Sequence, residues 1–486
     1  MYYKLIIYGI VLPPLFLLAE IQYIHKGYFD LGTIHRLSDG SIIKTPYRMV
    51  TYEPNISYNN FSVISSMAVE FRLKDTNDIL GSDFSFDLRE LYIEWMTSLG
   101  DFSIGKQIIS WGSASANNPT DNISPYNYYY LFSVGKERKE GILSLSSNIY
   151  WENLKLNTIF IPQHNTNVLP LNDPEFAISS PIVPKDEQII QLDNPYEYGI
   201  SMQFPINSID ITTSYFSGYD RIVSFFGANI WSDKNKDEST IMPDTVLSYR
   251  KTKVLGIGFS SFLNELSIKG DIGYFISDDE TSTKGDSALY RDWNTGRQKI
   301  IDRCEERNEG LIQHPLFGPN LHCDEEPTFN NSFTIDNRAK YYQYVIEIEF
   351  PIIYDINLIT QISQNKLIEI GEADSINVST GTIMLDPADY FIPGLGSSNT
   401  FISSKSLSIV AQRPFYDMGL ELRYTSIIDL DQRGSLHEVG IEYDIYENTK
   451  ILIVANKIFD NKNVEMNPFT GMEEFSHIRI ELKYYY

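Results

Sequence analysis

The sequence predicts an all-β chain: a single transmembrane antiparallel β-barrel of about 16 strands, with 18 as the alternative. Three observations predict it. Apolar and polar residues alternate over many short segments, short and long connections take turns, and no apolar run beyond the first stretch approaches the roughly 20 residues of a spanning helix. A barrel exposes only every second side chain to lipid. An apolar share of 42% and a mean hydropathy of −0.22 therefore fit it as well as they fit a soluble chain. The 33 Tyr and 27 Phe against 5 Trp suit two interfacial girdles.

Met1 to Ala19 reads as a secretory signal (residues 1–19), with Lys4 before an apolar run that Pro13-Pro14 interrupts. Residues 20–60 form an N-terminal segment with room for two extra strands, and the barrel proper is expected over 61–486. Within it, Leu91, Ile93 and Trp95 oppose Glu90, Tyr92 and Glu94. Likewise Tyr342, Tyr344, Ile346, Ile348 and Phe350 oppose Gln343, Val345, Glu347 and Glu349. Carboxylates at alternate positions of an apolar strand require one wet face, which in a barrel is the bore.

Tight turns are expected at Ser98–Asp101, Glu152–Asn153, Asn207–Ser208, Asn264–Glu265, Pro351–Asp355, Arg413–Phe415 and Tyr446–Thr449. Longer polar connections fall near 74–83, 112–139, 164–195, 231–247, 278–338, 368–403, 427–433 and 460–473. Seven short and eight long connections give sixteen strands with both chain ends on the short-turn side. This is the layout of a bacterial barrel, with short periplasmic turns and long outer loops.

The C-terminal stretch carries the period of two to Tyr486. Ile478, Ile480, Leu482, Tyr484 and Tyr486 share one face, and Arg479, Glu481, Lys483 and Tyr485 the other. It resembles the C-terminal assembly signature of Gram-negative outer-membrane proteins, with Ile480, Leu482, Tyr484 and Tyr486 as its signal residues.

The formal charge of −25 makes nucleic-acid binding improbable, because such a surface repels phosphates. Two cysteines, Cys304 and Cys323, flank 18 residues of a polar segment. In an oxidising compartment they read as a disulfide pinning an outer loop; His314 and His322 nearby leave zinc as the alternative, and no metal or cofactor is assigned. The seven histidines are scattered, with no zinc-protease motif or nucleophile elbow, so no enzyme and no catalytic residues are expected.

Residues 87–131 combine a hairpin with a long loop: Arg89, Glu90 and Tyr92; Gly105, Lys106 and Gln107; Trp111 and Gly112; then Asn118, Pro119, Thr120, Asp121 and Pro125. These 45 residues resemble the alginate-export and related porin-like outer-membrane barrel families. The resemblance implies that loop 112–139 folds inward and narrows the bore. The pore candidates are Glu90, Glu94, Lys106, Gln107, Asn118, Asp121, Lys136, Arg138, Glu347 and Glu349. The competing reading is that the loop's Asn, Asp and Pro residues only build turns. Lys106 shares a face with Phe102 and Ile104, so a lumenal Lys106 requires a bulge at Gly105.

The expected function is a porin-like channel in the outer membrane of a Gram-negative bacterium, passing small polar or charged solutes passively and preferring cations. The alternative is a binding or structural surface protein working through its long loops. The expected partners are outer-membrane lipid and lipopolysaccharide, the outer-membrane assembly machinery and a small polar solute, with a homo-oligomer left open.

Overall fold

The computed structural model describes residues 21–73, 83–133, 135–171, 173–176, 184–232, 242–277, 284–285, 289, 301, 328–378, 381–401, 403–462 and 468–486. In chain order its strands are β1 (Gln22–Arg36), β2 (Tyr47–Tyr58), β3 (Phe61–Arg72), β4 (Asp83–Met96), β5 (Gly100–Gln107), β6 (Ile142–Trp151), β7 (Leu154–Ile161), β8 (Glu197–Ile206), β9 (Ile209–Tyr219), β10 (Ser224–Ser232), β11 (Met242–Ser248) and β12 (Lys251–Leu263). They continue with β13 (Leu266–Ser277), β14 (Lys284–Gly285), β15 (Thr328–Thr334), β16 (Ala339–Ile352), β17 (Ile356–Ile370), β18 (Asp374–Val378), β19 (Gly381–Leu385), β20 (Lys405–Phe415), β21 (Leu420–Asp429), β22 (Ser435–Tyr446), β23 (Thr449–Phe459) and β24 (His477–Tyr485).

Eighteen of these strands form one antiparallel sheet in sequence order. The sheet closes where β1 pairs with β24, from Tyr28 opposite Tyr485 to Arg36 opposite His477. The remaining six sit in the long connections: β10, β11, β14 and β15 as a small sheet, and β18 with β19 as a hairpin. Closure leaves no strand edge in lipid, where an unpaired backbone group costs several kcal/mol. At about 4.8 Å between strands and about 40° of tilt, 18 strands enclose a backbone cylinder roughly 36 Å across. Side chains alone cannot fill that width.

The strand count of eighteen, not sixteen, has a local cause. β1 and β2 are joined to the rest by a two-residue turn at Asn59-Asn60, which the polar texture of residues 20–60 conceals. Asn59, Glu152, Asn207 and Asn264 all adopt left-handed φ values, 52°, 53°, 56° and 58°, as the first residue of such turns. A two-residue turn with this twist matches that of its strands, and Asn tolerates the conformation best. The turn expected at Arg413–Phe415 falls later: β20 runs through Pro414, and the chain reverses over Tyr416–Gly419, with Gly419 at φ 59°.

The register sorts every strand into two faces. Ile480 lies opposite Ile453, Leu482 opposite Leu31, and Ile93 opposite Val63 and Ile104. These side chains are among the exposed apolar ones and wrap the outside. The other face carries Arg479, Glu481 and Lys483 of β24, in register with Val454, Leu452 and Lys450 of β23. Large apolar and aromatic residues crowd the short-turn end, where Trp151, Tyr354, Tyr416 and Tyr446 are exposed. That is the chemistry of a membrane interface.

Candidate functional site

The bore is narrowed by the connection after β5. Residues 108–141 leave the wall at Gln107 and cross to strands on the far side, reaching β13, β16 and β17. The Ser113 and Ala114 N–H groups donate to Asp271 Oδ2, at 2.9 and 2.7 Å. Ser115 donates to Glu347 through its N–H at 2.9 Å and its hydroxyl at 2.8 Å. Asn117 N–H donates to Gln361 Oε1 at 3.0 Å, and Gln361 Nε2 returns a bond to the Asn117 carbonyl at 3.2 Å. Asp271, Glu347 and Gln361 are each 1% exposed. Main-chain N–H groups donate to all three of these buried side chains, so the loop is held against the wall by its main chain.

Glycines on the bore face make room for it. A Cβ at Gly199 would lie 2.7 Å from the Trp111 ring, and one at Gly273 would lie 2.8 Å from the Pro119 carbonyl. At Gly256 it would meet Thr120 Cγ2 at 2.8 Å. Trp111 also donates from Nε1 to Asn157 Oδ1 at 2.9 Å, and with Ile123, Ile142, Ile161 and Phe216 it forms an apolar core between loop and wall.

Inside the loop, Asp121 accepts bonds from Trp111 N–H at 3.2 Å and Tyr126 OH at 3.3 Å, and pairs with the Lys139 ammonium. Lys139 also donates to Ser110 Oγ at 2.8 Å and is 3% exposed. Burial holds its ammonium below the usual lysine range, and the Asp121 carboxylate opposes that shift. The returning limb of the loop rests on the β2–β4 wall. Arg48 and Arg89 both donate to the Glu137 carboxylate, at 2.9 and 3.1 Å, and Arg48 stacks over Tyr130 at 3.8 Å.

The structure divides the sequence-derived candidates into distinct groups. Glu347 anchors the loop, and Glu349 beside it accepts from Asn357 Nδ2 at 2.8 Å. Glu90 accepts from Ile108 N–H at 2.9 Å and lies 3.4 Å from Lys136, so it holds the root of the loop. Glu94 takes the bore face in register with Ser62 and Ser103. Gln107 is buried against Ser144 and Ser146. Asn118 turns back onto its own loop, donating to the Trp111 and Ala114 carbonyls and accepting from Thr120, which is the turn-building role. Arg138 lies over the Tyr126 ring at 5.3 Å.

Lys106 is not brought to the bore. It sits in unbroken register with Leu91 and Leu143 on the outward face, and the bulge required at Gly105 is absent from the β4–β5 pairing. The register shift occurs one strand earlier, between Ser66 and Met67 opposite Arg89. At the loop end of β5, the long Lys106 stem can carry its charge to the interface. Cys304, Cys323, His314, His322 and the expected signal at 1–19 lie outside the described residues.

Asp271, Gln361 and the bore-facing glycines belong to the site without having been singled out by sequence. The readable signal was Gly256-Ile-Gly258, glycines at alternate positions of an otherwise apolar strand, which mark the close approach of another segment.

No family model and no curated protein matches the chain. Among solved structures it is similar to OccAB1 of Acinetobacter baumannii, at 9% identity and TM-score 0.45 over 96% of both chains. It is similar to OccK8 (OprE) of Pseudomonas aeruginosa at 8% and 0.45, over 96% of this chain and 97% of the other. A loop-deleted OmpT, an outer-membrane protein of Vibrio cholerae, gives 10% and 0.35 over 96% and 99%.

Proposed function

We propose that this barrel is an outer-membrane channel through which small polar solutes diffuse passively, with cations favoured. The observation that carries this reading is the crossing of the bore by residues 113–117, fixed to Asp271, Glu347 and Gln361. A barrel this wide needs an internal loop to be selective, and this loop is anchored main chain to wall rather than left in solvent. The outward apolar face and its aromatic end support a membrane setting. Cation preference is supported by 64 acidic against 39 basic residues, and by partly exposed bore-side carboxylates such as Glu349 and Glu442.

Purified protein inserted in planar bilayers under a potassium chloride gradient tests this. The expected result is discrete conductance steps with a reversal potential displaced toward that of potassium. Folded barrels that conduct nothing exclude an open channel. A displacement toward chloride excludes the preference.

A further inference from the structure

Arg221 joins four of the long connections. Its Nη2 donates to the Asn122 and Ile123 carbonyls of the constriction loop, at 3.0 and 2.8 Å. Its Nη1 donates to Asn165 O at 2.9 Å and to both Glu197 oxygens, at 3.0 and 2.9 Å. Its own N–H donates to Gly396 O at 2.7 Å, and its carbonyl accepts from Asn167 N–H at 3.0 Å. The side chain is 2% exposed. Segments of 108–141, 162–196, 220–250 and 371–404 therefore meet at one residue.

His164 stands on the same pair. Its Nδ1 lies 2.8 Å from Glu197 Oε1 and 3.3 Å from Arg221 Nη1. The Tyr249 and Tyr219 rings enclose it, at 4.7 and 5.6 Å between centroids. Its Nε2 is buried with no hydrogen-bond partner among the described residues. A neutral ring suits this place. A protonated ring would carry a buried N–H without an acceptor and a positive charge beside the guanidinium, both of which are expensive.

We propose that Arg221 is the positioning residue of the constriction and that His164 makes it a proton-sensitive latch, closed while the imidazole is neutral. This rests on the channel reading above. The charged and titratable groups facing the ring are Glu197 from β8, Arg221 and Asp220 after β9, and Tyr219 and Tyr249 at the ends packed around it. Burial lowers the imidazole's affinity for a proton; Arg221 adds to this, and Glu197 and Asp220 oppose it. The released ring then binds more protons than the latched one, so the latch weakens as pH falls through and below the ordinary histidine range. Each pKa unit between the two states shifts the released fraction tenfold.

The test follows the full chain at about pH 7.5 and about pH 5, in bilayers and in detergent. Mean conductance is expected to rise severalfold on acidification in the natural sequence, and to stay at its pH 7.5 level in His164→Gln, which can still donate to Glu197. Arg221→Lys, which cannot span two carbonyls and a carboxylate, should conduct more at both pH values. Amide hydrogen exchange over residues 120–128 reads the latch without any current: protection should fall at low pH in the natural sequence and persist in His164→Gln. An exchange response without conductance would sink the channel and keep the latch. Conductance with a pH response unchanged in His164→Gln, or exchange indifferent to pH, would overturn the latch alone.

Discussion

Lys139 and Asp121 show how one charge can be placed inside a plug. The lysine is an ordinary residue of a polar loop in the sequence, yet in the structure it is enclosed and relies on Asp121 for neutralisation. Asp121→Asn removes the partner and leaves an ammonium in a dry place, which costs about 3–5 kcal/mol when uncompensated. The expected outcome is faster proteolytic cleavage within 108–141 while the barrel still shifts on unboiled gels. An unchanged cleavage rate counts against the pair as the loop's internal tie. Sequence reasoning named Asp121 because short polar groups suit a constriction; the structure buries it inside the loop. Its work is instead to neutralise a residue eighteen positions later, a partnership that depends on loop geometry.

At the scale of elements, strand alternation was legible because lipid outside and a wet bore inside impose a strict period of two. Glu347 and Glu349 could be assigned to the bore from that period alone, and the register agrees. Bulges break the period without announcing themselves. A lumenal Lys106 required a bulge at Gly105 that sequence alone left open, whereas the irregularity lies opposite Arg89. β1 and β2 were legible only as an alternative, because His25 and Gly27 interrupt the outward row that Phe29 and Leu31 occupy in β1. The strand β12 carries a prediction of its own. Gly256→Val would place a side chain against Ser214 Oγ and Thr120, and overpacking of this kind costs about 1–3 kcal/mol. The barrel should still fold, with faster hydrogen exchange in residues 118–123; exchange at the natural rate would show that the loop does not depend on that gap.

For the molecule as a whole, the sequence announced a tube but not the path of the chord across it. An inward loop 112–139 was implied only by resemblance, with turn-building as the competing reading, and its landing points at Asp271 and Gln361 lie more than 150 and 240 residues away, too distant for any local pattern to link. Shortening the chord tests its role. Deleting residues 113–118 removes the main-chain ties to Asp271, Glu347 and Gln361 and should raise single-channel conductance severalfold with weaker ion discrimination. A variant that folds yet conducts as before would assign the narrowing elsewhere.

The seam between β1 and β24 constrains how this tube can come into being. Tyr486 donates from its hydroxyl to the Thr51 carbonyl, 435 residues distant in the chain, and exchanges backbone bonds with Gly27. The opening strand has no second neighbour until the closing one arrives. Such distant pairing places the entropic expense of ring formation at the end of assembly and makes unaided closure slow. Until then the two rims are sticky templates for any other strand.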